Sequence, residues 1–250
     1  MKITNSLTLI AIFILGVSAS AQTPARTSIP AKLPLVSEIF AAHVKAIGGA
    51  AANERIRSRL SKGAVEMSPM GIKGTFESLV AAPDLSLVKM SIPGIGDLVE
   101  GYDGKSAWAV NPIQGSREKS GAELAQTKAN NDFYGDIHLA GKYKKATVTG
   151  MEKVEGHDAY VVKGETSSLG TDTLYFDTQT GLLLRVDTEI VSPQGNQPAK
   201  IFYEDFREID GVKLAFKNRT VLPQMELVMI TTEIKHGVDA EPAKFAKPKV

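Results

Sequence analysis

Leu182-Leu183-Leu184-Arg185-Val186-Asp187-Thr188-Glu189-Ile190-Val191 is the stretch on which the fold class turns. Leu182, Leu184, Val186 and Ile190 alternate with Arg185, Asp187 and Glu189. A period of two belongs to a strand with one buried and one wet face. The same rhythm runs through Ile72–Val80, where Ile72, Gly74, Phe76 and Val80 alternate with Lys73, Thr75 and Glu77. Turn signals punctuate the runs at Asp103-Gly104, Glu155-Gly156, Asp177-Thr178-Gln179-Thr180-Gly181 and Asp210-Gly211. Asp-Gly suits the positive dihedrals of a tight hairpin, and a closing Gly suits the left-handed position of a longer loop. Consecutive strands joined this way form an antiparallel meander, not a βαβ series.

Helices occupy two places. Over Leu35–Ile47, Val36, Phe40, His43, Val44 and Ile47 share one side against Ser37, Glu38 and Lys45, and Gly48-Gly49 ends the run. From Ser116 to about Tyr143 the alternation lapses. Ser120-Gly121-Ala122-Glu123 there has the form of a capping box, and Phe133, Tyr134, Ile137 and His138 recur at helical spacing. The class is therefore α+β. Met225–Lys235 differs from the other strands, with Met225, Leu227 and Met229 on one face and Val228, Ile230 and Ile234 on the other. A strand apolar on both faces is expected to be covered on both.

The chain has 250 residues, with Lys+Arg 29 against Asp+Glu 28, so no charge excess favours nucleic acid or an acidic lipid surface. Lys2, the apolar run Leu7–Val17 and Ala19-Ser20-Ala21 have the order of a secretory signal peptide over residues 1–21. That apolar run is too short to span a bilayer, which needs about 20 residues. Gln22–Pro34, with Pro24, Pro30 and Pro34, reads as a flexible leader, and residues 35–250 as a single domain. With no cysteine there is no disulfide, thiolate site or acylated N-terminal Cys. Export without a lipid anchor places the domain in the periplasm.

The search for catalytic chemistry yields little. His43, His138, His157 and His236 never fall at ligand spacing of one another, and no nucleophile elbow or P-loop occurs. Gly94-Ile95-Gly96 starts a dinucleotide fingerprint that Leu98-Val99 does not finish. Glu204 and Asp205 face opposite sides of a strand and read as a solvated edge. No metal or cofactor is expected, and no enzymatic activity.

Leu98-Val99-Glu100-Gly101-Tyr102-Asp103-Gly104-Lys105-Ser106-Ala107-Trp108-Ala109-Val110-Asn111-Pro112 carries a resemblance. A strand, D-G-K, then a Trp-bearing strand closed by Asn-Pro is similar to the periplasmic lipoprotein-sorting carriers, the LolA-like family. Ala82-Pro83-Asp84-Leu85 resembles the segment entering the same sheet, Tyr175–Leu183 the D-x-x-T-G-L hairpin of the wider superfamily, and Val238–Phe245 the closing segment. The resemblance implies a curved, incomplete antiparallel β-barrel enclosing a few helices and an apolar cavity for acyl chains. It implies a non-catalytic carrier whose partners are a lipid or a lipidated protein and a membrane-bound loading or acceptor protein. A relative of another kind would be an envelope-stress sensor or scaffold that binds a protein at the sheet edge. The family places an Arg before the Pro at Pro83, where it helps hold and release a lid; here the residue is Ala82, so the cargo class is left open. Candidates for the cavity lining are Phe76, Val88, Met90, Leu98, Trp108, Phe133, Met225, Leu227 and Met229. Apolar lining gains about 0.8 kcal/mol per buried CH₂ of a chain, and Met adapts to variable cargo. Trp108 is expected to point inward with Val110.

Overall fold

The computed structural model describes residues 32–166 and 170–248. The expected signal peptide, residues 1–21, and residues 22–31 of the leader lie outside the described residues. From Lys32 onward the chain forms one compact unit. Helices α1 (Val36–Ala46) and α2 (Ala50–Arg55) lead into six strands: β1 (Ser58–Ser68), β2 (Ile72–Ala81), β3 (Leu85–Ile92), β4 (Gly96–Tyr102), β5 (Ala107–Asn111) and β6 (Gly115–Glu118). An insertion with α3 (Gly121–Asn130) and α4 (Leu139–Lys142) follows. Seven more strands complete the sheet: β7 (Tyr143–Val154), β8 (His157–Thr166), β9 (Thr171–Asp177), β10 (Leu183–Ser192), β11 (Gly195–Ile209), β12 (Val212–Leu222) and β13 (Met225–His236). A 3-10 turn, Pro242–Phe245, comes last.

All pair into one curved 13-stranded antiparallel sheet in the order β6-β5-β4-β3-β2-β1-β13-β12-β11-β10-β9-β8-β7. The edges β6 and β7 do not meet, so the barrel is incomplete. All four turn signals join neighbouring strands. In the longest, the Asp177 carboxylate accepts the amides of Gln179 and Thr180 at 2.8 and 2.7 Å, and Gly181 takes the left-handed φ of 75° that closes the loop.

The face of the sheet that carries α1 is the inner one. Ile39 and Phe40 pack there against Val162, Leu174, Phe176 and Val186, with the Phe40 and Phe176 rings 5.8 Å apart. Burying an aromatic of this size contributes about 1.5–3 kcal/mol, which is why the amphipathic α1 is held on this face. Its start is capped by Glu38, which accepts the Leu35 amide at 2.8 Å. The capping box expected at Ser120 does not form. Ser120 makes no side-chain cap, and Glu123 instead takes a two-pronged pair from Arg117, each prong 2.7 Å. The Phe133–His138 stretch is a chain of tight turns, with helix only over the four residues of α4.

The strict alternation expected of Leu182–Val191 is broken by a bulge between Leu183 and Arg185. Leu183 and Val186 face the inner core, whereas Leu184 joins Val154, Ala159, Val161, Tyr175 and Phe202 on the outer face. Arg185 is not a solvated residue either. Its guanidinium lies 3.7 Å from the centre of the Tyr175 ring, with Asp187 at 2.8 Å, and its side chain is only 13% exposed. Arg219 covers Phe202 in the same way at 4.0 Å, held by Glu155 and Glu204. The outer aromatics are thus sealed by paired arginines, whose flat, weakly hydrated heads stack well.

β13 lies mid-sheet between β1 and β12. A register shift opposite Lys62 and Gly63 returns Ile234 to the face of Met229. Val228 and Ile230 remain on the outer face, where Ile230 is 38% exposed, so the expected cover on both sides is not complete.

Candidate functional site

β1, β2 and β9–β11 supply the floor of a cavity whose other wall is the insertion 121–142. It encloses about 430 Å³. Val80, Leu139, Leu174, Leu183, Val186 and Ile201 form its apolar part, and Phe133 stands at the insertion side. Phe133 is placed by a backbone bond from its amide to the Pro83 carbonyl at 2.9 Å and by an edge contact with Tyr134. The insertion is fastened to the sheet by Gln126. Pairing of β10 with β9 ends at Asp187, and beyond it the Gln126 amide donates to the Glu189 carbonyl at 2.6 Å and accepts the Val191 N–H at 2.9 Å. One side chain so satisfies the backbone of a strand that has lost its neighbour.

The rest of the lining is polar, which the expectation of an apolar cavity did not include. Asp172, buried on β9, accepts from the Tyr143 hydroxyl at 3.0 Å and the Thr188 hydroxyl at 2.7 Å, with Lys142 at 3.6 Å. Burial and this carboxylate push the Tyr143 hydroxyl well above its ordinary pKa. Tyr203 is pushed up as well, by burial first and then by Asp136 and Asp172, so both phenols stay protonated donors. Asp132 is bonded to His138 at 2.8 Å.

Arg59 is the residue the sequence reading passed over. It sits at the start of β1 opposite Val80, on the inner face, and lines the cavity with its guanidinium 5.7 Å from the Phe133 ring. Burial pulls its pKa down and the nearby Asp136 carboxylate opposes that. Among the described residues it makes no ion pair and no side-chain hydrogen bond. A basic group therefore does stand beside the Ala82-Pro83 entry, supplied by the neighbouring strand. The Ala82 amide itself bonds to the Arg57 carbonyl at 2.9 Å.

Of the nine lining candidates, Phe133 alone borders this cavity. Seven others share one face by register. Phe76 pairs with Gly63 and Met90, Met90 with Leu98, Val65 with Met229, and Met67 with Leu227; Val88 and Met225 continue their strands two residues on. Arg59 lies on that same face of β1, four residues before Gly63, with Ser61 and its partner Ser78 between them; beyond these serines a largely apolar strip runs along the inner face toward the β1–β2 and β12–β13 turns. Trp108 is on the other face. It pairs with Gly101, lies across it, and donates from Nε1 to the Phe245 carbonyl at 2.9 Å. The C-terminal 3-10 turn covers it together with Leu79, Leu60 and Leu87.

Among the described residues no three His, Asp or Glu side chains gather to hold a metal, and no helix is long and apolar enough to cross a membrane. No protein-family model matches the sequence, and no curated protein matches it. Solved structures match the architecture. A DUF1329 family protein from Desulfovibrio piger superposes with a TM-score of 0.60 at 16% identity, covering 84% of this chain and 97% of that one. A LolA superfamily protein from Nitrosomonas europaea gives a TM-score of 0.55 at 16% identity, covering 86% of this chain and 99% of that one. The fold is LolA-like.

Proposed function

We propose that the protein is a non-catalytic carrier of the periplasm that holds an acyl chain of a lipid or lipidated protein on its inner face. The observation that carries this reading is the strip of Phe76, Met90, Leu98, Leu227 and Met229, neighbours by register on the inner face and separated from the cavity by the Ser61–Ser78 pair. An acyl chain gains about 0.8 kcal/mol per CH₂ on such a surface without any charged contact, and flexible methionines suit cargo of varied shape. A membrane-bound protein would load or receive that cargo. The test is native mass spectrometry of the exported protein after gentle extraction. A co-purifying lipid is expected, and Leu227→Glu should expel it with the fold kept, because an unpaired carboxylate on an apolar surface costs several kcal/mol. An empty protein would favour the second reading, a sensor or scaffold. The open edge strand β7, 12 residues long, offers that reading a place for a partner's strand.

A further inference from the structure

We propose that the cavity receives the head of an amphiphile bearing one oxyanion, a carboxylate or a phosphate, with Arg59 as its counter-ion and the Tyr203 hydroxyl as a second donor. This rests on the carrier reading and narrows its cargo. Most charged and hydroxyl groups around the cavity are already matched. Asp172 holds Tyr143, Thr188 and Lys142, and Asp132 holds His138. Arg59, Tyr203 and Asp136 are the ones for which no hydrogen bond or ion pair is found among the described residues. Asp136 is exposed on the turn before α4, near enough for its charge to act on both Arg59 and Tyr203.

A guanidinium presents five N–H donors in a planar fork, and a carboxylate or phosphate answers it with two parallel bonds. Removing such a group from water without a partner is costly, so an uncharged head sealing the cavity would bind at a penalty. An ammonium head would meet the same positive charge. The cavity thus selects by what it leaves unpaired as much as by what it contacts. Position fits as well. Arg59 is six residues from Val65 on β1, about 20 Å at the rise of a strand. An anionic head at Arg59 therefore leaves its tail directed along the face of Phe76 and Met229.

The test uses the purified full chain, stripped of lipid, titrated calorimetrically with dodecanoate, dodecyl phosphate, dodecanol and dodecylammonium. Both anions should bind at least about tenfold more tightly than dodecanol, in keeping with a charge-assisted pair. Arg59→Gln should abolish that preference by weakening the anions, with dodecanol bound no more weakly than before, and Tyr203→Phe should reduce it by about three- to tenfold, the size of one hydrogen bond to an oxyanion. Arg57→Gln, on an exposed residue nearby, should change nothing. Should Arg59→Gln fail to fold, Arg59→Lys keeps the charge but loses the fork, and weaker binding of both anions is expected. Equal affinity for dodecanol and the anions, or an anion preference that survives Arg59→Gln, overturns the assignment and leaves the carrier reading standing. If none of the four binds, the carrier reading itself fails. Whichever anion binds better names the source, a free fatty acid or a phospholipid.

Discussion

The indole Nε1 of Trp108 and the backbone carbonyl of Phe245 are joined at 2.9 Å with both residues wholly buried. This bond ties the C-terminal 3-10 turn to the outer face of the sheet, more than a hundred residues away in sequence. Trp108→Phe keeps most of the apolar area but leaves the carbonyl unpaired, at a cost of about 1–3 kcal/mol. Gly101→Ala should cost more, since its Cβ would lie 2.4 Å from the indole ring. Urea denaturation of both variants checks the order, and a smaller loss for Gly101→Ala would contradict the packing.

His43 predicts a pH dependence. It is 2% exposed, its Nδ1 lies 3.2 Å from the Gly181 carbonyl, and its buried Nε2 has no partner among the described residues. Burial lowers its pKa, outweighing Asp136 and the Gly181 carbonyl, so the folded protein keeps the ring neutral. The unfolded chain binds a proton near the ordinary value of 6.5. Stability from this group is therefore full above that pH and falls as pH drops below it toward the lowered folded value. Denaturant melts between pH 8 and 5 should show this loss, and His43→Phe should flatten the curve in that window.

Asp177 works in the opposite sense. Burial alone would raise its pKa, but the amides of Thr180 and Gln179 and the nearby His157 hold it below the usual carboxylate range. Its contribution is present above the unfolded value of 3.8 and disappears as pH falls through the lower folded one. The loop it organises also presents Gly181 to His43. A double-mutant cycle of Asp177→Ala with His43→Phe should give a coupling of about 0.5–3 kcal/mol. Strict additivity would mean that the two ends of the loop act separately.

The bulge in β10 sets a rank. Val186→Asp puts a charge in the inner core and should destabilise by several kcal/mol, whereas Leu184→Asp enters the half-open outer cluster and should cost less. Arg185→Ala should still lose about 1–2 kcal/mol because its stack on Tyr175 goes with it. Equal losses at Leu184 and Val186 would place both on one face and remove the bulge.

Gln126 offers a way to loosen the cavity wall without touching its floor. Gln126→Ala removes the partner of the Glu189 carbonyl and the Val191 N–H, at about 0.5–1.5 kcal/mol for each bond. Hydrogen exchange should speed up in α3 and at Val191 and remain unchanged in β8 and β9. A uniform change would point to a global effect instead.

The meander, its turns and the first helix were legible because each follows from local rules: alternation, Asp-Gly pairs and an apolar stripe. What the sequence hid falls under two causes. Bulges shift parity without any compositional mark, so Leu184 and Ile234 landed on the face opposite to their alternating neighbours. Covered outer faces also invert the usual logic. In the sequence Trp108 reads as inward, although it lies on the outer face, because nothing local announces that Phe245 returns to cover it. Arg59 is hidden in the sequence because Arg55, Arg57 and Arg59 together resemble a solvated run. The parity it shares with Gly63 and Val65 was the available signal.

The order of the strands has a consequence for how the chain assembles. Every pairing in the sheet joins consecutive strands except that of β1 with β13, which brings Arg59 opposite His236. Two independent ribbons, one growing outward from each side of this seam, need only local closures. The seam alone requires a long loop to close, and closure entropy rises only slowly with loop length. Joining the chain after β13 to the residues before β1 and reopening it within the 121–142 insertion would make every strand contact nearest-neighbour. Such a circular permutant would retain the sheet while replacing its one long-range strand pairing with a sequence-local one, and lower contact order predicts that it folds faster.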